Sequence, residues 1–181
     1  GTGMILECPE GKFLFTEPID LPSNCIIKGQ GPDKTIFYAD LGSQESFIRI
    51  RGTQSAEKRK VTLPASKGTF SIGVQNGSWI TPNSWIRISQ NDSSLVTSNW
   101  ALGTVGQIVQ VSNVNTNSIL LKSPLRKDYA LSDSARIQTI TPVENVGVEC
   151  LKIQRLDDTA PSQTSSILFN YAVNCWVKGV E

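Results

Sequence analysis

Short apolar runs alternate with turn residues from the start of the chain. Ile5-Leu6-Glu7-Cys8 is followed by Pro9-Glu10-Gly11, Phe13-Leu14-Phe15 by Glu17-Pro18, and Ile19-Asp20-Leu21 by Pro22-Ser23-Asn24. Cys25-Ile26-Ile27-Lys28, Thr35-Ile36-Phe37-Tyr38 and Phe47-Ile48-Arg49-Ile50-Arg51 continue the pattern. These runs are too short for helices, and the Pro and Gly between them prevent longer ones, so they predict strands. One unit is written more than once. Asn24-Cys25-Ile26-Ile27-Lys28-Gly29 returns as Asn174-Cys175-Trp176-Val177-Lys178-Gly179, with a looser copy in Asn145 to Ile153. A recurring unit too short to bury its own apolar face predicts stacked coils of a solenoid. In such a stack each Asn is expected at a bend, where it tolerates left-handed backbone and pairs its amide with the next coil.

After Arg51 the pattern changes. Residues 52–60 are polar and charged and read as a solvated loop. Phe70 to Val74, Trp85 to Ile88, Gln107 to Val111, Ser118 to Leu121 and Arg136 to Ile140 then alternate apolar with polar residues. That alternation predicts half-buried antiparallel strands, with a hairpin turn at Asn115-Thr116-Asn117. The chain therefore divides into N-terminal coils over 1–60, an antiparallel β-rich insertion over 61–142, and resumed coils over 143–181.

The coil motifs resemble a known family. Cys8-Pro9-Glu10-Gly11-Lys12-Phe13, Leu21-Pro22-Ser23-Asn24 and Gly29-Gln30-Gly31-Pro32-Asp33-Lys34-Thr35 resemble the right-handed parallel β-helix of the pectate-lyase superfamily. The middle stretch is similar to an insert of some bacterial β-helix proteins, through Asn83 to Ile88, Val111-Ser112-Asn113-Val114 and Ser123 to Tyr129. The expected fold class is all-β, a right-handed parallel β-helix of few coils interrupted by a small antiparallel β-barrel-like or sandwich-like insertion. The resemblance implies a secreted, cell-surface or periplasmic protein that handles polysaccharide, as a lyase or glycoside hydrolase. The rival class is a non-catalytic carbohydrate-binding or structural β-helix of the tail-spike or adhesin kind. The family's Asn-Thr-Asp, Gly-His-Gly and Arg-Ile-Lys motifs are missing, so the stretch is expected to lack the catalytic centre, whose residues are unassigned. The abrupt ends, at Gly1 and after a strand at Glu181, suggest part of a longer protein.

Composition narrows the chemistry. The 181 residues carry 17 basic and 16 acidic side chains and no basic block longer than Lys58-Arg59-Lys60, which argues against a nucleic-acid partner. No apolar run is long enough for membrane insertion. The absence of histidine excludes Ser-His-Asp and Cys-His catalysis and imidazole-bound metals. Cys8, Cys25, Cys150 and Cys175 form no Cys-x-x-Cys pair. Cys25 and Cys175 face one way in two copies of the repeat, as buried thiols or as a disulfide between coils.

Candidate ligand contacts remain. Arg49 and Arg51 project from one strand face and could grip an anionic sugar, or lie in a salt-bridged surface. Trp100, Arg126 and Tyr129 in the insertion are of the types that stack on or hydrogen-bond to sugars, although a lone Trp often caps a small core. No cofactor is expected apart from calcium at Asp157 and Asp158, adjacent carboxylates that otherwise belong to a solvated acidic loop.

Overall fold

The repeated Asn residues turn the chain at equivalent places. In a computed structural model that describes residues 3–43, 45–157 and 164–181, Asn24, Asn145 and Asn174 all adopt left-handed backbone, at φ of 62°, 57° and 54°. Each bend delivers a strand to the same parallel sheet. The first coil contributes β1 (Met4–Glu7), β2 (Gly11–Phe15) and β3 (Ile19–Asp20), and the second β4 (Cys25–Lys28), β5 (Thr35–Ala39) and β6 (Ile48–Arg51).

The middle of the chain forms β7 (Thr53–Gln54), β8 (Arg59–Lys60), β9 (Ser71–Gly73), β10 (Trp85–Ser89), β11 (Gly106–Asn115), β12 (Ser118–Leu121) and β13 (Arg136–Thr141). The coils then resume with β14 (Val143–Glu144), β15 (Gly147–Glu149), β16 (Lys152–Arg155), β17 (Ile167–Asn170), β18 (Ala172–Val173) and β19 (Trp176–Lys178).

Three parallel sheets run through the coils, in the orders β1-β4-β15-β19, β2-β5-β16 and β3-β6-β17, with a short fourth, β14-β18, between the later coils. The third coil stacks on the second as if nothing lay between them in sequence: Gly147 pairs with Ile26 and Lys152 with Ile36. The architecture is all-β, a parallel β-helix of few coils interrupted by an antiparallel unit. Chain contacts divide it into two compact units, residues 1–53 with 142–181 and residues 54–141.

In the coil unit, stacked rows place like residues on like. Phe13 lies edge-on to Phe37, with ring centroids 5.9 Å apart, and Phe15 reaches both Phe37 and Phe47, at 4.9 and 5.2 Å. Such offset and edge-to-face pairs stabilise the interior beyond the area they bury. Extending the pairing one residue before β15 and β19 places Val146 and Cys175 in one inward row with Cys25, the first residue of β4. All four thiols are free. The disulfide alternative for Cys25 and Cys175 fails on distance, since Val146 separates them and two coil spacings are about 9.6 Å, beyond the roughly 7 Å that a disulfide spans.

The insertion unit is one seven-stranded sheet of order β7-β13-β10-β11-β12-β9, with β8 also on β13. Residues 52–60, expected as a loop, therefore contain two short strands. The pattern missed them because each is only two residues long. Just beyond β8, the Val61 amide donates to the Ala135 carbonyl, while that of Thr62 donates to the carbonyl of Gly73, the last residue of β9. This brings the two ends of the sheet together and gives the unit a barrel-like core. Ile72, Ile86, Ile88, Val109, Val111, Ile119, Leu121 and Ile137 point into it, each at most 3% exposed.

Candidate saccharide-binding surface

The expected contact residues are distributed over both units. In the coil unit, Arg49 and Arg51 do share the outward face of β6, but that face already has its anion. Register pairs Arg49 with Asp20 of the preceding coil. Arg49 donates to Asp20 through Nε at 3.0 Å and again through Nη2, and Arg51 adds a bond to the same carboxylate at 3.2 Å. Glu45 also accepts from Arg49, at 3.4 Å. The Arg49 guanidinium beside Asp20 holds its carboxyl below the usual carboxylate range. The two arginines thus lie in the salt-bridged surface that was the other expectation for them, linking one coil to the next. A partner 29 residues away cannot be read from the strand alone.

Asp157 is similarly committed. Both its oxygens accept from Arg155, Oδ1 from Nε at 2.7 Å and Oδ2 from Nη2, and its carboxyl is held low by that contact. Asp157 is thus engaged in an ion pair with Arg155, while Asp158 lies outside the described residues. Among the described residues no three carboxylate or cysteine side chains converge as a metal site.

In the insertion unit, Tyr129 is corrected. It is 1% exposed, bridges Ala65 in the core, and burial pushes its phenol up to about 12. A side chain enclosed in this way cannot meet a glycan.

Trp100 and Arg126 are exposed. Trp100 is 85% accessible, the most open of the large apolar side chains, on a single turn at Asn99–Ala101. Its loop is fixed from below by a residue that the sequence reading passed over. Asp92, 2% exposed, accepts the Gly103 amide on Oδ1 and the Val105 amide on Oδ2, both at 2.9 Å. Those bonds to the ionised form hold its carboxyl below the ordinary range. The only signal for it was the Asn91-Asp92-Ser93 turn chemistry at the start of the loop.

The loop also rests on Arg87. This side chain projects from β10, opposite Gln138 on β13 and Ile108 on β11, and its Nη2 donates to the Gly103 carbonyl. Arg87 lines two adjoining depressions, one with Arg126, Thr104 and Gly106 and the other with Ser89, Asn91 and Arg136. The outward face of β10, β11 and β13 is therefore a polar groove bordered, through Gly103 and Thr104, by the loop that carries one bare indole. Such a surface suits a ligand with both a hydrophobic ring face and polar edges.

Comparison with known proteins places this geometry. No family model and no curated protein matches the chain. Among solved structures it is similar to the Gp54 tailspike of Acinetobacter baumannii bacteriophage AP22, described in complex with A. baumannii capsular saccharide. That match has a TM-score of 0.73 and 15% identity, and covers 98% of this chain and 30% of the tailspike. The Pseudomonas phage phi297 tailspike gp61 matches over 97% of this chain and 28% of its own length, with a TM-score of 0.70 and 15% identity. The tailspike gp49 from Pseudomonas phage LKA1 matches over 82% of this chain and 25% of its own, with a TM-score of 0.66 and 18% identity. The chain thus spans under a third of these proteins, and what it shares with them is the fold of that part, a parallel β-helix with an insertion.

Proposed function

We propose that this chain is a saccharide-binding part of a tailspike-like β-helix protein, displayed on an extracellular surface or particle, which holds a bacterial surface polysaccharide. The observation that carries the reading is Trp100. An indole left 85% exposed, on a loop pinned by a buried carboxylate and an arginine, is placed for a ligand rather than for the core. The likeness to a tailspike described with capsular saccharide supports polysaccharide as that ligand.

Binding is favoured over cleavage by the carboxylates. A glycosidase needs a carboxylic acid with a raised pKa beside a second carboxylate. Among the described residues, Asp20, Asp92 and Asp157 have carboxyls held below the ordinary range by their donors, which suits ion pairing and loop anchoring rather than a general acid. The polysaccharide lyase or hydrolase activity suggested by the resemblance to the pectate-lyase superfamily would then belong to another part of the whole protein.

The test is an array of bacterial capsular and O-antigen oligosaccharides, probed with this chain and with Trp100→Ala. Binding of at least one saccharide, a Trp fluorescence change on titration, and loss of both in the variant are expected. Absence of any saccharide ligand, or an unchanged affinity in Trp100→Ala, overturns the proposal. Release of new reducing ends by the chain overturns its non-catalytic half.

A further inference from the structure

The nearly neutral total charge conceals a segregation. The insertion unit, residues 54–141, holds nine Lys and Arg against four Asp and Glu, whereas the rest of the chain holds eight against twelve. Several of the nine cations converge on one face. Arg136 lies directly opposite Lys60 on the neighbouring strand, two like charges in register, an arrangement that costs stability. Arg87 sits on the same face one strand further on, diagonal to Arg136 through the pairs Arg87 with Gln138 and Ser89 with Arg136. Lys58 closes one side of the depression between them, and Arg126 lines the depression on the other side of Arg87.

None of Lys58, Lys60, Arg87, Arg126 and Arg136 is ion-paired among the described residues. The nearest acids are used elsewhere. Asp92 accepts two backbone amides, although its charge also acts on Arg87, Asp133 accepts from Gln90, and Glu57 pairs with Arg59.

The groove is shaped as well as charged. Gly106, opposite Ser89, lies close to β10: a Cβ there would come within 2.7 Å of the Ile88 carbonyl oxygen and 3.3 Å of Arg87 Nε, so glycine keeps the floor beside Arg87 open. Gln90 is 9% exposed and lines the depression beside Arg136, and its Oε1 has no hydrogen-bond partner although its Nε2 donates to Asp133. The depression, about 340 Å³, is on the scale of a sugar unit and is bordered by Ser89, Asn91 and Gln138.

We infer that the outer groove of the insertion, between Arg87 and Arg136, is a subsite for the carboxylate of an acidic sugar residue. This rests on the saccharide-binding reading and adds to it the chemical class of the ligand. Planar guanidinium groups match a carboxylate in paired hydrogen bonds, and the amides and hydroxyls around them match ring hydroxyls. A nucleic acid would also be drawn to the charge. Yet neither depression is itself lined by an aromatic side chain, so a base would have to stack on Trp100 outside them, and the space admits a side group rather than a strand.

The experiment uses the intact chain on an array of uronate-bearing and neutral oligosaccharides, followed by titration calorimetry. The strongest acidic ligand is compared with its own carboxyl-reduced form and with a single-stranded oligonucleotide. Carboxyl reduction is expected to weaken binding about tenfold or more. In Arg136→Gln and Arg87→Gln, each checked for native circular dichroism, that difference should shrink toward none, while Trp100→Ala weakens both forms alike. Equal affinity for the acidic and reduced forms, or variants that still discriminate, overturns the subsite and leaves saccharide binding standing. Preference for neutral sugars does the same. If no saccharide binds, both readings fall. An oligonucleotide that binds more tightly than any saccharide, in an Arg136-dependent way, overturns the inference in favour of nucleic acid.

Discussion

The side-chain amide of Asn145 donates to the Asn24 side-chain oxygen at 2.9 Å, joining bends of adjacent coils that are 121 residues apart in sequence. The same two residues hold the left-handed backbone that starts β15 and β4. Asn145→Ala therefore combines two losses, left-handed strain of about 1–2 kcal/mol and a hydrogen bond worth about 0.5–1.5 kcal/mol. Asn145→Gly loses only the bond. Urea unfolding should show the alanine variant clearly less stable than the glycine variant; equal midpoints would mean that the bend does not depend on its residue.

Gly29 shows how closely the coils approach. A Cβ there would stand 2.4 Å from the Cys150 carbonyl oxygen and 2.8 Å from Thr35 Cβ, with backbone on one side and a buried side chain on the other. Gly29→Ala must separate the second and third coils, and a loss of about 3 kcal/mol or more is expected, at the upper end of overpacking costs. Gly42→Ala is a control for strain, since its φ is +60° but nothing lies within 4 Å. If thermal unfolding found the two variants equally affected, close coil contact would not be the cause.

The coils were legible because stacking forces repetition. Each turn needs a left-handed bend and an inward row, so Asn recurs at matching places in three coils, and Cys and Lys-Gly in two of them, where the third has Val146 and Glu149-Cys150. The strands of the insertion were legible for a different reason, since Ile86 and Ile88 alternate with Trp85 and Arg87 on a half-buried sheet. What the sequence hid was every relationship set by pairing order. Asp20 meets Arg49 only because β3 lies beside β6, and Arg136 meets Arg87 only because β13 inserts beside β10. Tyr129 misled because its neighbours Lys127 and Asp128 are polar, while a bridge to Ala65 draws the ring into the core.

The thiols should behave as isolated groups. Burial pushes the Cys25 thiol up, and Val146 stands between it and Cys175. Under mild oxidation the intact mass should remain that of four free thiols, and a disulfide reagent should reach Cys25 only after denaturant is added. A Cys25–Cys175 crosslink formed in the folded protein would contradict the row assignment.

Acid should loosen the Trp100 loop before it unfolds the barrel. The Asp92 carboxyl is held low because its charged form accepts the Gly103 and Val105 amides. With the folded value below the unfolded one of about 3.9, the stabilisation is fully present above that value and is lost as pH falls through the folded value. At neutral pH both amides should be protected from hydrogen exchange. Protection should disappear at these two sites on acidification, and at neutral pH in Asp92→Ala, while amides of β10 and β13 keep theirs. Asp92→Asn retains one acceptor oxygen and should fall between. If Asp92→Ala left both amides protected, another contact would be holding the loop, and Trp100 would owe its position to something other than this carboxylate.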